Sequence, residues 1–435
     1  MNQTNPGIEQ LPQGEPRRKG RVRNFFAELG PGLISGAADD DPSGISTYSV
    51  TGASFGYTPL WTAPFSFPLM AAVQLMCARL GLVTGRGLAG VVRLHYPRWV
   101  LWVSCSLLIV ANVFNIGADL GGMAEATEMM TRVKSYYWTP IYAIVIVLLL
   151  FFSSYRRIVR VLKWLTLVLF AYVAAAFLAR PNWLSALSAT FVPHVQWSSA
   201  FLATFVGILG TTISPYLFFW QATQEVEDER AQGKCTVEER EGATDKELRV
   251  ARKDVVIGMF FSNLVMYFII LTTAATLHTH GLTNIATARQ AAEALRPVAG
   301  DGAYLLFTLG LIGTGFLGIP VLVGSAAYAV AEAQRWQHGS LEDRPRLAPK
   351  FYAIVAAAMV LGLALDFVGF NAVKMLFYSA VLNGVLAPPL IVLVVLLTSN
   401  SKIMGSRASS RPLRYLGWAT AAIMTLAAIG MFATM

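Results

Sequence analysis

Charged residues are scarce in this 435-residue chain: Asp, Glu, Lys and Arg make up 14% of it, while 55% of its residues are hydrophobic. A soluble chain carries about 25% charged residues, so a water-exposed multidomain protein is excluded. Cysteine (three residues) and histidine (five) are also rare, and no CxxC or His-rich spacing surrounds Cys77, Cys105 or Cys235. We expect these cysteines to be reduced and structural. No nucleophile–base pair or other catalytic motif indicates an enzyme.

Apolar stretches are what the sequence has in abundance. Crossing a hydrocarbon core of roughly 30 Å takes about 20 apolar residues in a helix, and such stretches recur along the whole chain. We therefore predict an all-α integral membrane protein whose main partner is the lipid bilayer. Eleven transmembrane helices are predicted, at 27–50, 59–80, 99–122, 137–154, 162–180, 198–223, 254–277, 303–331, 351–369, 373–397 and 414–434.

The basic residues sort to one side of these spans. With the N-terminus inside, the inner segments contain 28 of the 34 Lys and Arg residues and the outer segments contain five. Lys374 begins the tenth span, where its side chain can reach the interface. Cytoplasmic loops carry an excess of Lys and Arg, so we expect a cytoplasmic N-terminus and an extracytoplasmic C-terminus. Topology thus explains the net charge of +9, and no nucleic-acid partner is implied.

The spans divide the chain into six parts. Residues 1–24 are predicted to be a disordered cytoplasmic tail, because they are polar and basic and lack the apolar core of a signal peptide. The remaining parts are spans one to five (25–180), an outer loop with the sixth span (181–224), a charged cytoplasmic loop (225–253), spans seven to ten (254–398), and a loop with the eleventh span (399–435).

Two spans contain residues that do not suit a continuous membrane helix. The first reads GPGLISGAADDDPSGISTYSV, with three consecutive acids and a proline, and the sixth reads FVGILGTTISPYLFFWQ. Proline removes a backbone donor and clashes with the preceding turn, while glycine permits unwinding. We predict that both helices are broken, near Pro42 and near Pro215.

The two breaks lie five helices apart, as expected if spans 1–5 and 6–10 are structural repeats. Because five is an odd number, the repeats must be inverted, which predicts a LeuT-like fold. Transporters of this construction bind their substrate between broken helices near the bilayer midplane. A proline kink without a ligand explains the first span poorly, since three buried acids with no function would cost several kcal/mol.

The two breaks offer only oxygen as a ligand atom. Asp41, with Asp39 or Asp40, supplies carboxylates, and unwinding frees the carbonyl groups around Ala38 and Thr211. Hydroxyl groups come from Thr211, Thr212, Ser214 and Tyr216. Such a pocket suits a hard divalent cation, magnesium or manganese rather than copper, zinc or cadmium. Which of Asp39 and Asp40 joins Asp41 stays open.

At these residues the chain resembles the Nramp (natural resistance-associated macrophage protein) family of divalent-metal transporters. The similarity covers most of the chain and is strongest in GPGLISGAADDDPSGISTYSVTGASFGYTPLW, which is similar to that family's first helix and DPGN signature. It continues through ARLGLVTGRGLAGVVRLHYP and, more weakly, through GADL and FVGILGTTISPY. The resemblance implies a secondary transporter without a cofactor, which we expect in a prokaryotic inner membrane.

Departures from the family pattern bear on the substrate. The family's Asp and Asn ligands in the first helix fall on Asp41 and Gly44, and its MPH in the sixth becomes Ser214, Pro215 and Tyr216. The thioether that favours transition metals is therefore missing, as in the Nramp-related magnesium transporter branch. Fewer protein ligands would leave room for water, so we expect a wider pocket around Gly44 and Ser214. The metal site that the resemblance implies comprises Asp41, Ala38, Asp40, Gly44, Thr211, Ser214 and Tyr216.

Proton coupling is expected to be weak or absent. In typical members, acids of the third helix and the sixth-helix histidine take part in proton movement. Here Asp119 in GADL matches the first acid, but the second falls on Gly122 and the histidine on Tyr216; a further family histidine falls on Gln221. Asp119, Gln221 and Asn383 are candidates for a proton or ion pathway, although an asparagine such as Asn383 is more often a helix-packing residue.

We therefore expect a secondary transporter that imports Mg²⁺ and/or Mn²⁺. Two alternatives stay open. One is a transporter of a small organic cation or polar metabolite on the same scaffold that has lost metal transport. The other is a transport-dead sensor that signals through the loop 225–253. The sequence leaves the cation, the stoichiometry and the oligomeric state undetermined.

Overall fold

The computed structural model describes residues 30–153, 165–336, 338–369 and 371–435. Over these ranges the chain is helical and contains no strand, which confirms the all-α prediction for the described part. The predicted tail (1–24) and the first residues of the fifth predicted span (162–164) lie outside the described residues.

We number the described α-helices in chain order. They are α1 Pro31–Asp39, α2 Pro42–Phe55, α3 Thr62–Thr84, α4 Leu88–His95, α5 Arg98–Thr131, α6 Ser135–Phe152, α7 Ala171–Leu178, α8 Trp183–Phe191, α9 Ser199–Thr212, α10 Pro215–Ala231, α11 Val237–Arg240, α12 Asp245–Thr276, α13 Ala288–Ala292, α14 Arg296–Ala299, α15 Ala303–Gln334, α16 Pro349–Asp366, α17 Ala372–Ser399, α18 Ser401–Met404 and α19 Arg411–Ala433.

Nine helical segments of the described chain are long and apolar enough to cross a membrane, and each coincides with a predicted span. The first predicted span is divided into α1 and α2, each shorter than a membrane crossing. The fifth is represented by α7 and the 3₁₀ turn Leu165–Phe170 before it. The total of eleven spans therefore stays a prediction.

The predicted charged cytoplasmic loop, 225–253, includes the ends of two helices. Helix α10 continues to Ala231 and α12 already begins at Asp245. A capping box explains the early start, because Thr244 accepts a hydrogen bond from the Glu247 N–H while the Glu247 side chain accepts one from the Thr244 N–H. This reciprocal pair satisfies backbone donors that the helix end leaves free. The predicted range thus contains helical residues at both ends, and the boundaries of the cytoplasmic loop stay a prediction.

Glycines bring the half-helices that flank the breaks into backbone contact with their neighbours. A Cβ added at Gly36 of α1 would collide with the Gly258 carbonyl of α12, and one at Gly258 would collide with the Gly32 carbonyl. Between α9 and α17, a Cβ at Gly210 would likewise collide with the backbone at Gly384. Small residues allow this close approach in membranes. As a result, α1 packs directly against α12, and α9 packs directly against α17.

Candidate functional site

The break in the first span follows from local capping chemistry. Asp41 is the N-cap of α2, with φ −70° and ψ 173°, and Pro42 takes the first helical position. The Asp41 Oδ1 atom accepts a hydrogen bond of 2.8 Å from the Gly44 N–H. Aspartate is a favoured N-cap because its oxygen satisfies a free backbone donor, and proline suits the first position of a helix. The motif DPSG thus starts a new helix in mid-membrane.

The break in the sixth span also lies immediately before a proline, but the preceding side chain binds different groups. Ser214 precedes Pro215, the first residue of α10, and has φ −76° and ψ 135°, the extended conformation that a following proline favours. Its Oγ lies 2.9 Å from the Gly210 carbonyl oxygen and 2.8 Å from that of Thr211. Ser214 therefore satisfies carbonyls at the end of α9 instead of capping α10.

The two breaks meet at the hydroxyl group of Tyr216. Its Oη donates towards the Ala38 carbonyl oxygen at 3.1 Å and towards Asp41 Oδ2 at 3.2 Å. All three residues are buried, with Asp41 only 2% exposed. The structure thus brings Ala38, Asp41 and Tyr216 together, as the sequence predicts. Asp41 serves both helices, because one carboxylate oxygen caps α2 while the other faces α10.

Gly44 and Thr211 close one side of this arrangement. A Cβ at Gly44 would lie 3.0 Å from Thr211 Oγ1 and 3.2 Å from the Asp39 carbonyl oxygen. The space that a larger side chain would need at position 44 is therefore largely filled by its neighbours. A larger side chain at position 44 would have to displace the Thr211 hydroxyl group, and the expected wider pocket around Gly44 and Ser214 stays a prediction.

Asp39 and Asp40 face α12 and a residue that sequence reasoning missed. The Ser262 Oγ atom lies 2.6 Å from Asp39 Oδ2 and 3.4 Å from Asp40 Oδ1. Asp40, which the sequence groups with Asp41, therefore turns towards Ser262 and forms no hydrogen bond with Tyr216. A serine within the apolar run of α12 was the available signal, but its position along a helix does not reveal which residue it contacts.

Four acidic side chains are buried around the first break. Asp39, Asp40, Asp41 and Asp119 are all at most 3% exposed, and no ion pair reaches any of them from a described Lys, Arg or His. Asp119 lies beside Asp41 and Ser43, and neither of its carboxylate oxygens has a hydrogen bond of ordinary geometry within the described chain. Buried carboxylates without a counter-charge favour binding of cations or protons.

The other candidates for a pathway have packing partners elsewhere. Gln221 accepts a 2.6 Å hydrogen bond from Ser35 Oγ and so joins α10 to α1. The amides of Asn383 and Asn115 pair reciprocally, at 2.9 and 3.2 Å, between α17 and α5. Of the three predicted pathway residues, only Asp119 lies next to Asp41. The reciprocal amide pair is the packing role that is commoner for asparagine in membrane helices.

Helix α15 also borders the site, which the sequence did not indicate. A Cβ at Gly318 would lie 3.1 Å from the Cβ of Asp41, so the α15 backbone runs directly beside the carboxylate. In the described part of the chain, no group of three or more His, Cys, Asp or Glu side chains is arranged to hold a metal ion. A cation at this break would therefore be held by fewer than three such side chains, with neutral oxygens completing its ligands.

Comparison with known proteins identifies the family of the chain. The family model of natural resistance-associated macrophage protein-like (Nramp) proteins matches residues 32–434. The chain belongs to this family. The predicted resemblance to Nramp proteins is thereby confirmed, and the chain is an integral membrane protein.

Two curated Nramp relatives carry the name divalent metal cation transporter MntH. The protein of Klebsiella pneumoniae subsp. pneumoniae is 27% identical over 406 residues, which is 92% of this chain and 92% of that protein. A second, from another Klebsiella pneumoniae strain, is 26% identical over the same coverage. These relatives are transporters, which agrees with the expectation that the chain is not an enzyme.

Solved structures share the fold. A crystal structure of the Eremococcus coleocola manganese transporter superimposes with a TM-score of 0.74 at 21% identity, covering 95% of this chain and 88% of that one. The nucleobase-cation-symport-1 family transporter Mhp1, in a closed conformation with bromovinylhydantoin bound, gives a TM-score of 0.58 at 15% identity, with 94% of each chain covered. The fold is therefore that of secondary transporters with different substrates.

Proposed function

We propose that this Nramp protein imports a hard divalent cation, Mg²⁺ or Mn²⁺, through the site between its two broken helices. The observation that carries the proposal is the meeting of the Asp41 carboxylate, the Ala38 carbonyl and the Tyr216 hydroxyl in one buried place. Three kinds of oxygen converge there from two interrupted helices, which is how transporters with broken helices bind ions.

The position of the Tyr216 hydroxyl group suggests how the ion binds. In this structure the Tyr216 O–H points between the Ala38 carbonyl and Asp41 Oδ2. A cation placed between those two oxygens would replace this donor, and the hydroxyl group could turn a lone pair towards it. Asp41 Oδ1 would keep its hydrogen bond to the Gly44 N–H, so the break would be preserved during binding.

Ligand chemistry supports magnesium or manganese as the substrate. Carboxylate, carbonyl and hydroxyl oxygens suit Mg²⁺ and Mn²⁺, whereas softer metals prefer thiolate or thioether ligands. Ser214 stands where typical family members carry a thioether, and it offers only a hydroxyl group. The names of the MntH relatives and of the Eremococcus coleocola transporter also favour a divalent metal, and in the latter case manganese.

We further propose that coupling to protons is weak or absent. Tyrosine does not titrate near neutral pH, so Tyr216 is a poor proton carrier in place of a histidine. At Gly122 there is no room for an acid without rearrangement, because a Cβ there would lie 2.8 Å from Leu376 Cδ1. Asp119 and the spare aspartates Asp39 and Asp40 are the buried acids near the break that could carry a proton instead.

The proposed topology has eleven spans, inverted repeats and a cytoplasmic N-terminus. It is supported by the division of the first and sixth spans at Asp41–Pro42 and Ser214–Pro215 and by the excess of Lys and Arg in the predicted inner segments.

Uptake by proteoliposomes tests this function. Purified protein is reconstituted, and entry of Mn²⁺, Mg²⁺ and Cd²⁺ is followed with dyes inside the vesicles, together with a luminal pH dye. We expect uptake of Mn²⁺ or Mg²⁺ in preference to Cd²⁺ and no stoichiometric acidification. A proton flux matched to the metal would contradict the coupling proposal and direct attention to Asp119. If none of the three metals enters, the metal-transport proposal is wrong, and an organic solute becomes the better substrate class.

A further inference from the structure

A cavity of about 450 Å³ lies at the end of the bundle that the charge pattern assigns to the cytoplasm. It lies between the end of α3, the start of α4, the helix α10 and the end of α15. Its charged lining consists of Arg86, Arg230, Arg240, Arg335, Glu227 and Glu332. None of the residues of the candidate cation site lines it.

The two carboxylates of this cavity are already engaged by protein donors. Glu332 accepts a hydrogen bond of 2.9 Å from the Gly90 N–H and lies 3.4 Å from the Thr223 hydroxyl. Glu227 accepts hydrogen bonds from Arg230 at 2.8 Å and from the Ser340 hydroxyl at 2.7 Å. Both acidic groups are therefore already hydrogen-bonded within the protein.

The arginines are only partly paired: Arg230 forms an ion pair with Glu227, and the other three form none with a carboxylate of the lining among the described residues. Arg240 is 2% exposed, and its guanidinium donates to three neutral carbonyl groups, those of Gly85, Lys234 and Cys235. Arg86 is only loosely paired, with its Nη2 atom 4.0 Å from Glu241. Arg335 has no hydrogen bond or ion pair from its side chain to another described residue. Four arginines against two glutamates leave the lining with a net positive charge.

We propose that this cavity binds a phosphate-bearing anion. A positive lining repels a divalent cation, so the cavity is a poor exit for the transported ion. The planar guanidinium group binds phosphate through two parallel N–H donors. A volume of 450 Å³ is within the range of small-molecule sites, and Trp336 on its wall supplies an aromatic surface. An anion bound there would contact α10 through Arg230 and α15 through Arg335, and would hold these helices together.

The phosphate could belong to a soluble metabolite or to a lipid headgroup. Basic pockets between transmembrane helices on the cytoplasmic side are known to bind anionic headgroups. Both sources share the chemistry proposed here, and the experiment separates them.

The test measures binding of inorganic pyrophosphate to the purified full-length chain in a phosphate-free detergent, by isothermal titration. We expect saturable binding, about tenfold weaker in Arg335→Gln because that variant loses a charged hydrogen-bond donor. Arg335→Lys keeps the positive charge but lacks the paired N–H donors of the guanidinium group. Its pyrophosphate affinity should lie between those of wild type and Arg335→Gln. Arg346→Gln is the matched control, since Arg346 is exposed on the same side but does not line the cavity. Arg86→Gln is a second variant in case Arg335→Gln does not fold, which gel filtration and metal uptake would reveal.

The source of the phosphate is determined by repeating the titration in nanodiscs. Pyrophosphate affinity that is equal in phosphatidylcholine discs and in discs containing phosphatidylglycerol indicates a soluble anion. Affinity that is lost only in the phosphatidylglycerol discs indicates a lipid headgroup already in the cavity. The proposal is overturned if wild type fails to bind pyrophosphate in detergent, or if folded Arg335→Gln and Arg86→Gln bind it as well as Arg346→Gln does.

Discussion

Replacing Asp41 with asparagine separates the two roles that the structure gives this residue. The Oδ1 atom caps α2 through the Gly44 N–H at 2.8 Å, and Oδ2 faces the Tyr216 hydroxyl at 3.2 Å. Asparagine is as good an N-cap as aspartate, so Asp41→Asn should keep the break and the thermal stability. It removes the negative charge of the carboxylate that accepts a hydrogen bond from Tyr216. Losing an ionic interaction of roughly 1.5–3 kcal/mol lowers cation affinity about ten- to a hundredfold, and uptake should be abolished at low metal concentration.

The assay pairs isothermal titration and proteoliposome uptake with thermal unfolding. Asp41→Ala is the comparison variant, because it also removes the cap and should cost about 1 kcal/mol of stability that Asp41→Asn does not. Undiminished uptake by a folded Asp41→Asn protein would show that the cation binds elsewhere. Equal thermal stability of the two variants would instead refute the capping role.

The remaining predictions concern the neighbours of Asp41. Asp40→Asn should reduce uptake less than Asp41→Asn, because Asp40 faces Ser262 at 3.4 Å; equal loss in both would place Asp40 in the site. Ser214→Met should raise Cd²⁺ affinity relative to Mg²⁺ by adding a soft ligand, with Ser214→Ala as the control in competitive uptake. Gly44→Asn combined with Ser214→Met should impair Mg²⁺ most, because magnesium resists dehydration and the site is already tight at position 44; an unchanged preference order in the double variant would show that neither residue sets selectivity. Gly258→Ala should destabilise the fold by about 1–3 kcal/mol through overpacking against α1, whereas Gly302→Ala, whose nearest neighbour is 3.9 Å away, should not; equal unfolding temperatures would argue against the backbone contact.

Features governed by local rules could be predicted from the sequence. Hydropathy placed nine of the spans, because burial in lipid requires continuous apolar runs of fixed length. The two breaks were predictable because proline constrains its own backbone and that of the residue before it, at Asp41–Pro42 and at Ser214–Pro215. The early start of α12 at Asp245 obeys a local rule too, but the strong charge of that segment obscured the capping box at Thr244.

Features governed by packing between distant segments could not be predicted in this way. Successive carboxylates at Asp39, Asp40 and Asp41 diverge in direction, and only the position of Ser262 on α12 decides which way the first two turn. Gly318 approaches Asp41 because α15 passes beside the break, and Asn383 finds Asn115 across a sequence separation of 268 residues. A motif places a residue at a depth in the membrane, but the facing helix determines its contacts.

The proposed cation site is tested most directly by isothermal titration of the wild-type protein and Asp41→Asn with Mg²⁺, Mn²⁺ and Cd²⁺. An oxygen-lined site at Asp41 predicts that wild type binds Mg²⁺ or Mn²⁺ more tightly than Cd²⁺, and that folded Asp41→Asn loses this binding. Tighter binding of Cd²⁺, or metal binding that is unchanged in Asp41→Asn, would contradict a hard-cation site between the two broken helices.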